Sequence, residues 1–292
     1  MMNKKITLKD TVNRLKPIIK WTGGKRREIK KFESYFPSFV NNDSIYNYVE
    51  PFIGGGAVYF YLNNINGNNV INDFDSLLCG FYKVFCQKNE SDIKFITEIK
   101  RIGNITDHNS LEAEYYRLRN QDKNNGLEKL SDVDKAIRFY VVNQLAFSGM
   151  RRFNSSGEFN VPFGHYKRLN IKFIESIPHR SLLTKTNIFI GDFEPVMKDN
   201  DKENTFIFLD PPYTRIFKEY TSGNSFMEND HKRLGETIKS IKNASVMMII
   251  DKSEFTEKLY KGMIKGTYCL NYGINIKKRF STAAEHLIIC NY

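Results

Sequence analysis

The stretch "YVEPFIGGGAVYFYL", Tyr48 to Leu62, changes character twice. Its start closes an apolar run, "SIYNYVE" (Ser44 to Glu50), with the look of a strand. Pro51 then ends the ladder, because it has no N–H to donate. Three glycines follow, and after them a helix-like run. Strand, glycine turn and helix in that order form the unit of a parallel α/β sheet. The unit recurs in "NNVIND" (Asn68 to Asp73), which leads into "FDSLLCGFYKVF". "NIFIGDF" (Asn187 to Phe193) and "NTFIFLD" (Asn204 to Asp210) are two more such strands. "KNASVMMIID" and "EHLIICNY" read as late strands of the same sheet. The fold class expected is therefore α/β with a mostly parallel sheet.

The chain has 292 residues, of which 41% are hydrophobic and 26% charged, enough for a packed core. Lys and Arg total 44 against 33 Asp and Glu, a net charge of +11. So basic a surface suits a polyanion, of which nucleic acid is the commonest. The four cysteines, Cys79, Cys86, Cys269 and Cys290, form no C-x-x-C pair, so neither a zinc site nor a disulfide scaffold is expected. No apolar run approaches the length that crosses a bilayer. The first residues, "MMNKKITLKDTVNRLK", carry charge where a secretion signal would be apolar. A cytoplasmic location with no membrane partner is the expectation.

From about Gly80 to Ile174 the pattern differs. "SLEAEYYRLRNQ" and "SDVDKAIRFYVVNQLAF" are helix-like, with Ser131 and Asp134 spaced as a capping box. Then "NQLAFSGMRRFNSSGEFNVPFGHYKRLN", Asn143 to Asn170, interleaves aromatic and basic residues. "NSSG" between two strand-like arms predicts a β-hairpin. A basic, aromatic hairpin suits entry into a groove and contact with phosphates.

In open α/β sheets, ligands bind beyond the carboxyl ends of the strands. Glu50, Asp73, Asp192 and Asp210 all stand at such ends. The glycine cluster fits neither G-x-G-x-x-G nor a G-K-[ST] phosphate loop. Asp73, about twenty residues on, is placed to hold ribose hydroxyls, since two carboxylate oxygens match two vicinal donors. Asp75 is the better helix cap.

"DPPY", Asp210 to Tyr213, is the most specific word in the chain. An aromatic amine such as adenine N6 is a poor nucleophile, because its lone pair is spread into the ring. Asp210 can accept one N–H and the Pro211 carbonyl the other, which favours a tetrahedral nitrogen. Pro211 and Pro212 stiffen the turn, and Tyr213 offers a flat face to a base taken out of its stack. The five histidines lack metal-ligand spacing, and no G-x-S-x-G is present, so no metal and no serine nucleophile are expected.

"IIKWTGGK" (Ile18 to Lys25), "EPFIGGG" (Glu50 to Gly56), "GEFNVPFG" (Gly157 to Gly164) and "DPPY" follow the order found in the Dam-like DNA adenine-N6 methyltransferases of the alpha group, which the chain resembles over nearly its whole length. The resemblance implies S-adenosylmethionine as methyl donor and a Rossmann-like catalytic domain, here 1–79 and 171–292. It also implies an inserted DNA target recognition domain, here 80–170. Trp21, Gly23, Gly24 and Lys25 match the N-terminal cofactor motif. Pro51, Phe52, Gly54 and Gly56 match the methionine-side loop, Asp73 the ribose acid, and Asp192 with Phe193 the adenine pocket. Asp210, Pro211, Pro212 and Tyr213 match the catalytic motif, with Asp210 also near the cofactor. Lys20, Phe147, Ser148, Arg151, Arg152, Asn154, Pro162, His165 and Tyr166 are the expected DNA contacts. The family's "YNG" is "FSG" here, and the arginine that follows "VPFG" in GATC readers is His165, so GATC is not assumed. Double-stranded DNA is the expected partner, a monomer the expected state, and a cognate restriction endonuclease a second candidate partner. "DPPY" chemistry alone would also suit cytosine N4 or an RNA adenine, and a non-catalytic DNA-binding protein could keep the fold. The intact glycine loop and "DPPY" favour an enzyme.

Overall fold

The computed structural model describes residues 14–41, 45–213, 226–270 and 284–292. The charged start, residues 1–13, lies outside that range, as does Ser44. The strands are β1 (Asn47–Glu50), β2 (Asn69–Asp73), β3 (Thr186–Ile190), β4 (Thr205–Leu209), β5 (Ser245–Asp251), β6 (Ile264–Leu270) and β7 (Ala284–Cys290). They build one sheet in the order β3-β2-β1-β4-β5-β7-β6. β1 to β5 run parallel, and β7 enters antiparallel between β5 and β6. The expected mostly parallel α/β sheet is present.

The sheet is covered on both faces, which is why its central strands are continuous apolar runs. Tyr48, Phe206, Phe208, Met247 and Ile249 face one core. Val49, Ile207, Leu209, Met248 and Ile250 face the other. Successive residues alternate between the cores, as the two-residue strand period requires. β6 was not anticipated from the sequence. It is an edge strand with several exposed positions, so its apolar signal is diluted.

The helices are α1 (Ile29–Phe32), α2 (Ser38–Asn41), α3 (Ala57–Tyr61), α4 (Ser76–Cys86), α5 (Glu90–Gly103), α6 (His108–Arg119), α7 (Asp132–Leu145), α8 (Ile177–Thr184), α9 (Phe193–Asp199), α10 (Glu228–Ser240) and α11 (Glu254–Leu259). Asp75 caps α4 by accepting from the Leu77 and Leu78 N–H groups at 3.0 and 3.1 Å. Ser131 caps α7 as its spacing suggests. α5, α6 and α7 lie in the stretch expected to be inserted. They share a core with the sheet: the Phe81 ring of α4 stacks on Phe139 and Tyr140 of α7 at 5.5 and 5.7 Å. The expected division at residue 80 falls inside α4, a single helix.

The expected hairpin is present only as a loose antiparallel loop. Its arms meet at two isolated bridges, Phe153–Phe159 and Ala146–Phe163. Asn154 N–H donates to the Glu158 carbonyl at 2.9 Å, and Asn160 N–H to the Arg152 carbonyl at 3.0 Å. Pro162 has no N–H to extend the ladder, and the Val161 carbonyl is taken by Tyr115 Oη at 2.8 Å. Among the described residues, no helix is long and apolar enough to cross a membrane.

Candidate active site and nucleic-acid interface

Because β1 to β4 are parallel, their carboxyl ends share one edge, and the loops there build the site. β4 is buried throughout and delivers Asp210. Lys25, itself 2% exposed, places Nζ 2.6 Å from Asp210 Oδ1. The same ammonium donates to the Gly23 carbonyl at 2.9 Å and lies 4.8 Å from the Tyr213 ring centroid. Burial raises the Asp210 carboxyl above its ordinary range, and the Lys25 charge opposes that. The motif around Lys25 was expected to serve the cofactor. Its lysine joins Asp210 to Tyr213.

The glycine loop turns sharply between β1 and α3. Gly54 has φ +44° and Gly56 φ +68°, both in the left-handed region. A Cβ on Gly54 would lie 2.5 Å from Trp21 Nε1, and one on Gly55 2.8 Å from Trp21 Cβ. Trp21 is therefore packed onto the glycines, which leaves no room for side chains there. Gly54 N–H donates to Asp73 Oδ2 at 2.9 Å, and Asp75 N–H to Oδ1 at 3.0 Å. Burial lifts Asp73 to about 6, against the pull of those two N–H groups. Asn72, buried and not singled out in the sequence, donates to the Pro51 carbonyl at 3.0 Å and the Gly191 carbonyl at 2.9 Å. It staples the loops after β1 and β3 to the end of β2. Glu50 is also buried, accepting from Tyr48 Oη at 2.7 Å and Tyr59 N–H at 3.2 Å. Burial holds it well above the usual carboxylate range. It anchors the loop from within.

Phe52, Phe193 and Phe226 form an aromatic group, with ring centroids 5.4 to 5.8 Å apart. Asp192 caps α9 through Glu194 N–H and grips Arg233 with both oxygens at 2.7 Å. The Arg233 guanidinium holds Asp192 below its ordinary range. Its oxygens are thus engaged by the protein, in a helix cap and an ion pair.

These residues fit a nucleoside ligand. Each Asp73 oxygen accepts one N–H and retains a lone pair for a hydroxyl. Phe74, beside it, is 65% exposed, and Ile190, opposite Asp73 in register, is 48% exposed. Exposed apolar side chains flanking a hydroxyl-binding acid are suited to the flat face of a base.

The loop after α7 presents Phe147, Met150 and Phe153 to solvent. Ser148 and Gly149 have φ +53° and +64°, which turns the chain so that Phe147 projects. Arg152, Pro162 and His165 are exposed. The Arg152 Nε donates to Asn160 Oδ1 at 2.8 Å, within the loop. His165 lies parallel to His108 of α6 at 5.8 Å. Other expected DNA contacts are turned inward. Asn154 Oδ1 accepts the Ser156 and Glu158 N–H groups and builds the turn. Lys20 Nζ donates to the Gln144 carbonyl at 2.5 Å and sits 3.7 Å from the Tyr166 ring centroid. Arg151 pairs with Asp75 and lies over Trp21. Neither His108 nor the Lys25–Asp210 pair carries a local sequence signal, since each depends on segments far apart in the chain.

The D12 class N6 adenine-specific DNA methyltransferase family model matches residues 21–277. A type II methyltransferase of Paramecium bursaria Chlorella virus NC1A is 33% identical over 283 residues, spanning 95% of this chain and 100% of its own. A type II methyltransferase of Lactococcus lactis subsp. cremoris is 35% identical over 263 residues, 87% of each chain. A third, from Methanocaldococcus jannaschii, is 32% identical over 290 residues, 94% of this chain and 93% of its own.

Proposed function

The chain belongs to the D12 class N6 adenine-specific DNA methyltransferases, and on that premise we propose the roles its residues play. It is a site-specific DNA-methyltransferase acting on adenine N6, with S-adenosylmethionine as methyl donor and duplex DNA as substrate. The donor supplies a methyl group on a positively charged sulfur, ready to leave.

Asp210 accepts one N6 hydrogen and the Pro211 carbonyl the other, turning the lone pair toward the methyl group. Lys25 keeps Asp210 ionised and fixed, and its contact with Tyr213 sets the ring against which the flipped adenine packs. When N6 gains the methyl it must lose a proton, and Asp210 is the acceptor at hand. Asp73 holds the ribose hydroxyls, Phe74 and Ile190 flank the cofactor base, and Trp21 with Gly54 shapes the methionine side. Phe147 fills the gap left by the flipped base, with Arg152 and His165 at the duplex. The observation that carries this reading is the meeting of Asp210, Lys25 and Tyr213 at one strand end beside the glycine loop. Incubation with labelled cofactor and mixed-sequence duplex should yield N6-methyladenine, and D210A should lower the rate at least about 100-fold while DNA binding persists. Absence of N6-methyladenine at every site overturns the reading.

The relatives' type II names support a restriction–modification setting, with an endonuclease cutting the same site. We further propose a cytoplasmic monomer. Its recognition region is the insertion, bounded by the loop after α4 and not within that helix.

A further inference from the structure

Arg151 stands in the loop proposed to meet DNA, yet its guanidinium lies 4.7 Å from the Trp21 ring centroid and bonds to Asp75. These contacts close a ring. Asp73 accepts Gly54 N–H through one oxygen and Asp75 N–H through the other. Gly54 is packed against Trp21, Trp21 lies under Arg151, and Arg151 returns to Asp75. One member is not fully satisfied: Arg151 Nη1 is buried with no hydrogen-bond partner among the described residues. A buried donor left unpaired is unfavourable, so a small shift of the ring that relieves it carries weight. Arg151 is flanked by Met150, Arg152 and Phe153, all exposed. A ligand that presses on the inner side of the ring therefore acts on the outer side through Arg151.

We propose that Arg151 is a positioning residue tying the DNA-reading loop to the cofactor pocket, so that a nucleoside ligand against Trp21, Gly54 and Asp73 orders residues 147–163. The inference rests on the cofactor assignment above. By linkage, DNA held by the ordered loop tightens the nucleoside ligand by the same factor. The physical warrant is a contiguous set of contacts whose arrangement both ligands bias.

Hydrogen exchange on the full chain tests this, with S-adenosylhomocysteine as probe because it carries no methyl to transfer. Calorimetry first fixes the saturating concentration for each variant. Saturation should slow amide exchange across 147–163 by about fivefold or more in the native chain. In R151M the loop should stay at its ligand-free rate although the probe is bound. R151K keeps the charge but not the planar fork, and should restore part of the response. D75N cuts the same tie from the other side and should repeat R151M, which covers poor folding of that variant. Trp21 is the chain's only tryptophan, so its emission reports the stack directly. Equal protection of the loop in the native chain, R151M and D75N, or none in the native chain, overturns the proposal. Failure of the native chain to bind the probe shows in calorimetry, and overturns the cofactor assignment together with this inference.

Discussion

Lys25 touches Asp210 at 2.6 Å and carries the charge that opposes the effect of burial on that carboxyl. Replacing it with methionine keeps the length and removes the charge. Asp210 then protonates at higher pH, so the acid limb of the pH–rate profile should move upward and the rate near neutrality should fall about 100-fold. K25R should leave the limb in place. A profile whose acid limb is unmoved in K25M would show that Lys25 does not act on Asp210. Phe147 makes the opposite kind of prediction. Its side chain is 48% exposed, so F147A should change folding stability by no more than about 0.5 kcal/mol. Methylation should nonetheless fall about tenfold or more, because the wedge is gone. A large loss of melting temperature in F147A would mean that the ring serves the fold. At this scale the strand-end positions of Asp73 and Asp210 were legible, because an apolar run that stops at an acid marks them. The partners of Lys25 and Arg151 were not, because loops brought together across the sheet set them.

The turn from β1 into α3 depends on backbone freedom at one position above the others. Gly54 has φ +44° and no space for a Cβ beside Trp21. G54A should cost about 1–3 kcal/mol of stability and weaken S-adenosylhomocysteine at least about tenfold, read by denaturant melts and calorimetry. Gly157 supplies the contrast. It has φ +76° but nothing within 4 Å, so G157A should cost about 1 kcal/mol and leave that affinity unchanged. Equal effects of the two changes would remove the argument from packing against Trp21. β1, β2, β4 and β5 were readable because burial on both faces leaves unbroken apolar runs. β6 escaped because an edge strand alternates and is partly exposed. The hairpin was over-read: "NSSG" does mark the turn, but Pro162 and the Tyr115 contact take away the pairing a regular ladder needs. The helix-rich stretch after residue 80 was visible as a change of composition. That it shares its core with the sheet was not, since Phe81, Phe139 and Tyr140 meet only in three dimensions.

Across the whole molecule, the carboxyl edge of the sheet concentrates acids that burial pushes up: Glu50, Asp73 and Asp210. An acid whose folded value lies above its unfolded one holds its proton more tightly when folded, so its contribution favours the ligand-free fold at low pH and fades as pH rises. For Asp73 the window runs from 3.8 to about 6. Buried histidines work against this. His231 of α10 is lowered from 6.5 to about 4 by burial, so its contribution is present above 6.5 and lost as pH falls toward 4. The contributions of Asp73 and His231 oppose each other over nearly the same range. A ligand that donates hydroxyls to ionised Asp73 breaks the balance, because below about 6 it must displace a proton first. The rise in melting temperature given by saturating S-adenosylhomocysteine should therefore shrink as pH falls through that value. Its affinity should drop by up to about tenfold per pH unit. In D73N both the affinity and its pH dependence should be reduced. Thermal melts and calorimetry at pH 5 and 7.5 read the difference, and an equal shift at the two values would remove Asp73 from the hydroxyl-binding role.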